Sequence, residues 1–443
     1  MAQLSIARLV SQDFDKNEFH ERCQRVADCI GKGAAALLQG APRPPSAHPE
    51  FAQSKVFYYM CGIKIERSYL LIEGRSGKTT LFVPADGICN VRGGVLQEDA
   101  KSAIVKETAI DEILTLEDLE PALAKVAGIY LLQRPDEAIF ATKFPLLGAA
   151  RMRAEDPFDG GKRRDELLAE NIKRRFPRIE IGDLDPMICT MRLVKSPAEI
   201  DILRKNGKMS AKVCMECMKS TRPGIPKAAL HGIADYVFRI TGNCGQSYDF
   251  ILEPSHPESK ALVDGDLVLV DCAPDNNCYA MDIGRIWPVN GTFDGWQRHT
   301  YGVIVNYHKT LLRILRPGVM VGDLYGIAAG EMLELYKGDK AGTDIVNFMI
   351  ERGIRYYNHH VGLSAHDAID RSWRESPLKA GMVIAVDPMV SLPGNPHGCV
   401  RVEDTVVITE SGCQALTGSA PFEIDEIEKL MQQPGQFPVD LIL

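Results

Sequence analysis

Five residues in the C-terminal half have the types and spacing of a metal cage: Asp271, Asp282, His359, Asp387 and Glu403. Asp271 ends the aliphatic run Leu267-Val268-Leu269-Val270, and Asp282 follows eleven residues later, beyond the turn-forming Pro274-Asp275-Asn276-Asn277. That pattern predicts a hairpin with a carboxylate on each arm. Asp387 and Glu403 stand in the same way about a turn through Pro393-Gly394-Asn395-Pro396, and His359 lies between the hairpins. A carboxylate closing a buried strand is costly unless it is paired or bound to metal. Four carboxylates with one imidazole make a mostly hard-oxygen site, suited to Mn²⁺, Co²⁺, Fe²⁺ or Zn²⁺. Singly each has an ordinary explanation: Asp282 as a partner for Arg285, Glu403 for Arg401. The whole set, in order on paired hairpins, outweighs those.

The elements that must position these residues form an internal repeat. Ser196-Pro197-Ala198-Glu199 predicts a helix start, with an N-cap serine, proline at the first position and a capping-box glutamate. That helix runs to about Lys219 and stops at Arg222-Pro223-Gly224. The stop recurs as Arg316-Pro317-Gly318 after a second helix, about Trp296 to Leu315. Further helices are expected near Lys227 to Ile240 and Gly322 to Tyr336. Each unit then reaches a glycine, five mainly aliphatic residues and an aspartate: Gly265 to Asp271, and Gly381 to Asp387. Near-continuous aliphatic runs suit strands buried on both faces. Two aspartates at one place in two repeats argue for a shared site where the halves meet.

The preceding residues predict a separate α/β domain. Glu18 to Gln39 has helical periodicity through Ala34-Ala35-Ala36. Ser68 to Ile72 and Thr79 to Val83 predict a hairpin; Gly128 to Leu132 predicts a strand, and Arg163 to Phe176 a helix. No catalytic constellation occurs here. The expected organisation is residues 1–182 as an N-terminal domain, 183–195 as a linker and 196–443 as the catalytic domain.

Bulk properties bound the function. A net charge of −8 argues against a nucleic-acid surface. The basic clusters Lys162-Arg163-Arg164 and Lys173-Arg174-Arg175 are interleaved with acids, as on a solvated face. No stretch approaches the roughly 18 apolar residues of a membrane span, and the polar N-terminus argues against a signal peptide. The twelve cysteines are scattered singly in apolar company, as in a reducing compartment, so a cytoplasmic protein is expected. Cys214-Met215-Glu216-Cys217 matches CxxC, but it lies within a predicted helix and reads as a core face.

Together these stretches carry a family resemblance. Leu269-Val270-Asp271, Met281-Asp282-Ile283-Gly284-Arg285, His359 through Asp367, Val386-Asp387-Pro388 and Val400 through Asp404 resemble the pita-bread metallohydrolases. The likeness spans roughly residues 190–435 and lies nearest aminopeptidase P and prolidase, whose extra domain would correspond to the first 180 residues. It implies two domains: an α/β domain of creatinase/aminopeptidase P type, then an α+β pita-bread domain with a pseudo-twofold repeat. It implies that Asp271 binds one metal ion, that His359 and Asp387 bind the other, and that Asp282 and Glu403 bridge them. Manganese stands foremost, with cobalt, zinc or iron as alternatives. Two cations sharing a water generate hydroxide near neutral pH and polarise a scissile carbonyl. His366 would contact substrate, His256 falls near the family's other catalytic histidine, and Arg401 would orient a ligand.

Three positions depart from the pattern. Asp387-Pro388 stands where the family has Glu-Pro, its glutamate being the favoured proton shuttle. The segment from His256 to Asp271 is shorter than usual. Arg355 replaces a histidine four residues before His359, and arginine can bind a substrate carboxylate bidentately. The implied function is a Xaa-Pro peptidase, aminopeptidase or dipeptidase, acting on small peptides with proline second, as a homodimer. Alternatives are a creatinase-like C–N hydrolase of a non-peptide metabolite, or a catalytically impaired binding protein.

Overall fold

The structure is a computed structural model that describes residues 6–43, 51–85, 96–135, 143–242, 245–352, 358–367, 371–395 and 397–436. Arg355 and Pro396 lie outside the described residues. Compactness divides the chain into residues 1–191 and 192–443, and helix Asp185–Leu193 occupies much of the stretch expected as a linker.

The first unit is built on six strands: β1 (Ala34–Gln39), β2 (Tyr69–Glu73), β3 (Thr79–Val83), β4 (Glu112–Thr115), β5 (Gly128–Leu131) and β6 (Glu180–Asp183). Their order is β4-β3-β2-β1-β5-β6; β1, β2 and β3 pair antiparallel, the other neighbours parallel. The first helix ends at Ile30, and the alanine run expected to continue it is strand β1. Gly31 and Gly33, at φ 76° and 85°, break the helix. Ala35 and Ala36 are then fully buried between β2 and β5, where tertiary pairing overrides alanine's helix propensity. Ala35, Leu37, Leu71 and Phe82 join a core with Ile172 of helix Arg164–Arg175.

The second unit contains β7 (Gly245–Gln246), β8 (Ile251–Pro254), β9 (Leu267–Asp271), β10 (Pro274–Asp275), β11 (Ile283–Pro288), β12 (Val383–Val386), β13 (Met389–Val390), β14 (Val400–Arg401), β15 (Glu403–Ile408) and β16 (Cys413–Ala415). An antiparallel sheet runs β12-β15-β11-β9-β8, and β16 pairs with the end of β15 beyond β11. Helix Pro197–Ser220 begins with Ser196 as a two-way capping box. Helices Lys227–Ile240, Gly295–Ile314 and Leu324–Leu335 follow in the predicted places. The apolar faces of these helices pack with β9, β11, β12 and β15 into one core.

The repeat recurs bond for bond. Gly224 and Gly318, closing the two helix stops, have φ 87° and 85°. Gly224 N–H donates to Leu262 O at 2.8 Å, and Gly318 N–H to Leu378 O at 2.9 Å. Gly265 and Gly381, opening the two strands, have φ 81° and 86°, a left-handed backbone that favours glycine. The halves join where β11 pairs with β15.

Candidate metal centre

The register of that seam gathers the acids. Gly284 faces Asp271 across one side of β11 and Glu403 across the other. A Cβ on Gly284 would lie 3.1 Å from both Arg401 Nε and Glu403 Oε2, so the missing side chain leaves space that the carboxylate end of Glu403 adjoins. Asp282 precedes β11, and its carbonyl accepts from the Thr405 hydroxyl at 2.7 Å. One oxygen each of Asp271, Asp282 and Glu403 lie within 4.8 Å of one another. Asp282, His359 and His366 form a second such group that shares Asp282.

His359 reaches the acids because its segment lies along β12: Ala385 N–H donates to His359 O at 2.9 Å and Val361 N–H to Val383 O at 3.0 Å. Its Nε2 is 3.6 Å from Asp282 Oδ2 and 3.9 Å from Glu403 Oε1. The His366 ring sits edge-on at 4.2 Å and is the solvent-facing member. Burial, joined by His366 in the case of His359 and opposed by Asp271 in the case of His366, keeps both imidazoles below the ordinary histidine range, and a neutral imidazole is a ligating one.

Arg401 binds across the acids, with Nη1 3.0 Å from Asp271 Oδ2, Nε 2.9 Å from Asp387 Oδ1, and Nη2 in a close pair with Glu403. Asp387 belongs to neither ligand group among the described residues; its Oδ1 accepts from Arg401 Nε.

His256 is not gathered either. Strand β8 pairs antiparallel to β9, with Ile251 opposite Asp271 and Pro254 opposite Val268, so the chain moves away from the acids before His256. The His256 ring, half exposed, meets Asp266 at 2.7 Å. Asp266 to Asp271 is five residues, about 16 Å of strand. The same register brings in Tyr248, which sequence reasoning missed. Its hydroxyl lies 2.6 Å from Asp282 Oδ1 and also bonds Asp271. Counting three residues back from the strand opposite Asp271 is the signal that finds it.

Beneath the acids, Arg285 bonds the Gly284, Glu403, Ala420 and Pro421 carbonyls and meets Asp404 Oδ1 at 2.7 Å. His308 Nε2 lies 2.9 Å from the other Asp404 oxygen. Arg285 therefore pairs with Asp404 and not with Asp282. It ties the strands that present Asp282 and Glu403.

Burial pushes the Asp282 and Glu403 carboxyls well above the carboxylate range, and neighbouring acids push further, against Arg401. Burial also raises Asp387 to about 6, with Arg401 opposing. Three converging buried carboxylates beside a neutral imidazole are a donor set that a divalent cation fits. Cys214 and Cys217 lie on the buried face of helix Pro197–Ser220 as free thiols, as the core reading of CxxC expects.

The family model Metallopeptidase family M24 matches residues 201–410, and Aminopeptidase P, N-terminal domain matches residues 19–129. A Haemophilus influenzae protein named Xaa-Pro aminopeptidase is 31% identical over 453 residues, covering 94% of this chain and 97% of its own. Two solved structures of Escherichia coli aminopeptidase P, one zinc-substituted with product and one with the inhibitor Pro-Leu, are each 25% identical with TM-score 0.73. Each likeness covers 94% of this chain and 98% of the other.

Proposed function

Since the chain belongs to metallopeptidase family M24, we propose that it is a Xaa-Pro peptidase acting on small peptides with proline at the second position. The observation that carries this reading is the convergence of Asp271, Asp282, Glu403 and His359 at the seam of the repeat. We propose two divalent ions per chain, manganese foremost, held by Asp271, Asp282, Glu403 and His359, with Asp387 completing the second site. When bound, the ions supply Lewis acidity, acidifying water and polarising a carbonyl.

The protein's own groups have these roles. Tyr248 fixes one oxygen each of Asp271 and Asp282. Arg401 orients Glu403, Asp271 and Asp387. Asp387, held by Arg401 through its Oδ1, would lend its deprotonated carboxylate to the second ion. His366, neutral and solvent-facing, hydrogen-bonds the substrate carbonyl. His256 is left out, because its ring lies at the far end of β9.

We further propose a catalytic domain over 196–443 behind an N-terminal domain over 1–182, a homodimer and a cytoplasmic location. No helix among the described residues is long and apolar enough to cross a membrane. Protein loaded with Mn²⁺ or Co²⁺ is expected to cleave X-Pro dipeptides or X-Pro-Y tripeptides; failure on both, with metal bound, sinks the reading. The Asp387–Arg401 pair favours one second reading, an impaired member that binds peptides without cleaving them. Activity appearing only in Asp387→Glu would favour it.

A further inference from the structure

The loop carrying His366 closes on an ion cluster that the proposed reaction does not use. Asp367 N–H donates to His360 O at 2.7 Å, bridging the two ends of the loop, and Gly362 N–H donates to Ser364 O at 3.0 Å within it. The Asp367 carboxylate points inward. Its Oδ1 meets Arg192 Nη2 in a close ion pair, and its Oδ2 lies 3.3 Å from Lys195 Nζ. All three side chains are 1% exposed. Burying such ions costs more desolvation than an apolar cluster would, so their presence asks for a reason other than stability.

The contacts of the cluster supply one. A Cβ on Gly362 would fall 2.3 Å from Asp367 Oδ2 and 3.0 Å from Lys195 Cε, so the loop is wrapped directly on the ions. Gly362 O accepts from Ala280 N–H at 2.8 Å, two residues before Asp282. Lys195 N–H donates to Gly381 O at 2.9 Å, at the head of the strand that leads to Asp387. Segment 192–195 thus grips the His366 loop; the segment is hydrogen-bonded to the arm that leads to Asp387, and the loop to the arm that carries Asp282.

We propose that Arg192 and Lys195 are positioning residues that act through Asp367 to hold His366 against the substrate. The proposal rests on the Xaa-Pro peptidase reading and on the role given there to His366. An imidazole displaced by about 1 Å loses on the order of a hundredfold in rate. Asp367→Asn keeps the shape and removes the charge that both cations share. Arg192→Lys keeps the charge and loses the planar fork, and serves if the first variant does not fold.

The test is a double-mutant cycle with His366→Ala on an X-Pro-Y tripeptide in Mn²⁺-loaded protein, with metal content measured for every variant. Asp367→Asn or Arg192→Lys is expected to lower kcat roughly ten- to hundredfold at unchanged metal content. In the His366→Ala background the same change should cost less than about threefold, because the group acted upon is already gone. In metal-free protein, the His366 ring resonance should shift or broaden in both variants. Equal losses in both backgrounds, or an unmoved ring resonance, overturn the proposal alone. A His366→Ala enzyme as fast as wild type overturns the reading of His366 and the proposal with it.

Discussion

Asp387 and Tyr248 bear on how firmly the ions are held. Lengthening Asp387 by one methylene extends the reach of a carboxylate whose Oδ1 is engaged by Arg401 Nε. Asp387→Glu is therefore expected to raise affinity for the second ion by about tenfold, read by metal titration of metal-free protein. No change, or a loss, would show that Asp387 is not a ligand position. Tyr248→Phe removes one donor shared by Asp271 and Asp282. We expect Mn²⁺ affinity to fall roughly tenfold with secondary structure unchanged by circular dichroism. At this scale the gathering of Asp271, Asp282, Glu403 and His359 was legible, because a carboxylate ending an aliphatic run is conspicuous. Tyr248 was not, since its role depends on the pairing of β8 with β9. The place of His256, at the far end of β9, was hidden for the same reason: proximity in sequence says nothing about which end of a strand a residue reaches.

The hairpins carry the next prediction. Gly284 sits between Asp271 and Glu403, where any side chain meets Arg401 and Glu403. Gly284→Ala should weaken Mn²⁺ binding by on the order of tenfold while the sheet persists; unaltered affinity would mean that the space above Gly284 is not part of the cage. Arg285 and Asp404 are both fully buried. Burial would raise the Asp404 carboxyl, but Arg285, with His308 and Thr417, holds it well below the ordinary range. Arg285→Met strands that charge and should cost about 3–5 kcal/mol by chemical denaturation. The paired glycines and helix stops announced the repeat in the sequence, and equivalent hydrogen bonds realise it. Strand β1 was hidden because alanine's helical preference dominates until its neighbours in the sheet are known.

For the whole molecule the buried acids couple metal, protons and stability. The folded pKa values of Asp282, Asp387 and Glu403 lie above their unfolded values. In metal-free protein the unfolded chain releases these protons first, so stability falls as pH rises from about 4 upward, through about 6 for Asp387. A divalent ion needs the deprotonated carboxylates, so its affinity should rise over the same range. Mn²⁺ is accordingly expected to raise Tm more at pH 7.5 than at pH 5.5, checked by calorimetry; an equal or reversed increment would place the ion elsewhere. Net charge and scattered cysteines narrowed the class of protein, but only the seam between the two halves explains why these acids tolerate one another.

The central claim is that the residues at that seam hold two ions and that cleavage depends on them. Mn²⁺ titrated into metal-free protein, with hydrolysis of an X-Pro-Y tripeptide followed alongside, tests this most directly. Turnover should climb with loading, level off at two ions per chain, and disappear on chelation. Full loading at two ions without hydrolysis of the X–Pro bond, or turnover that persists after the ions are removed, would contradict it.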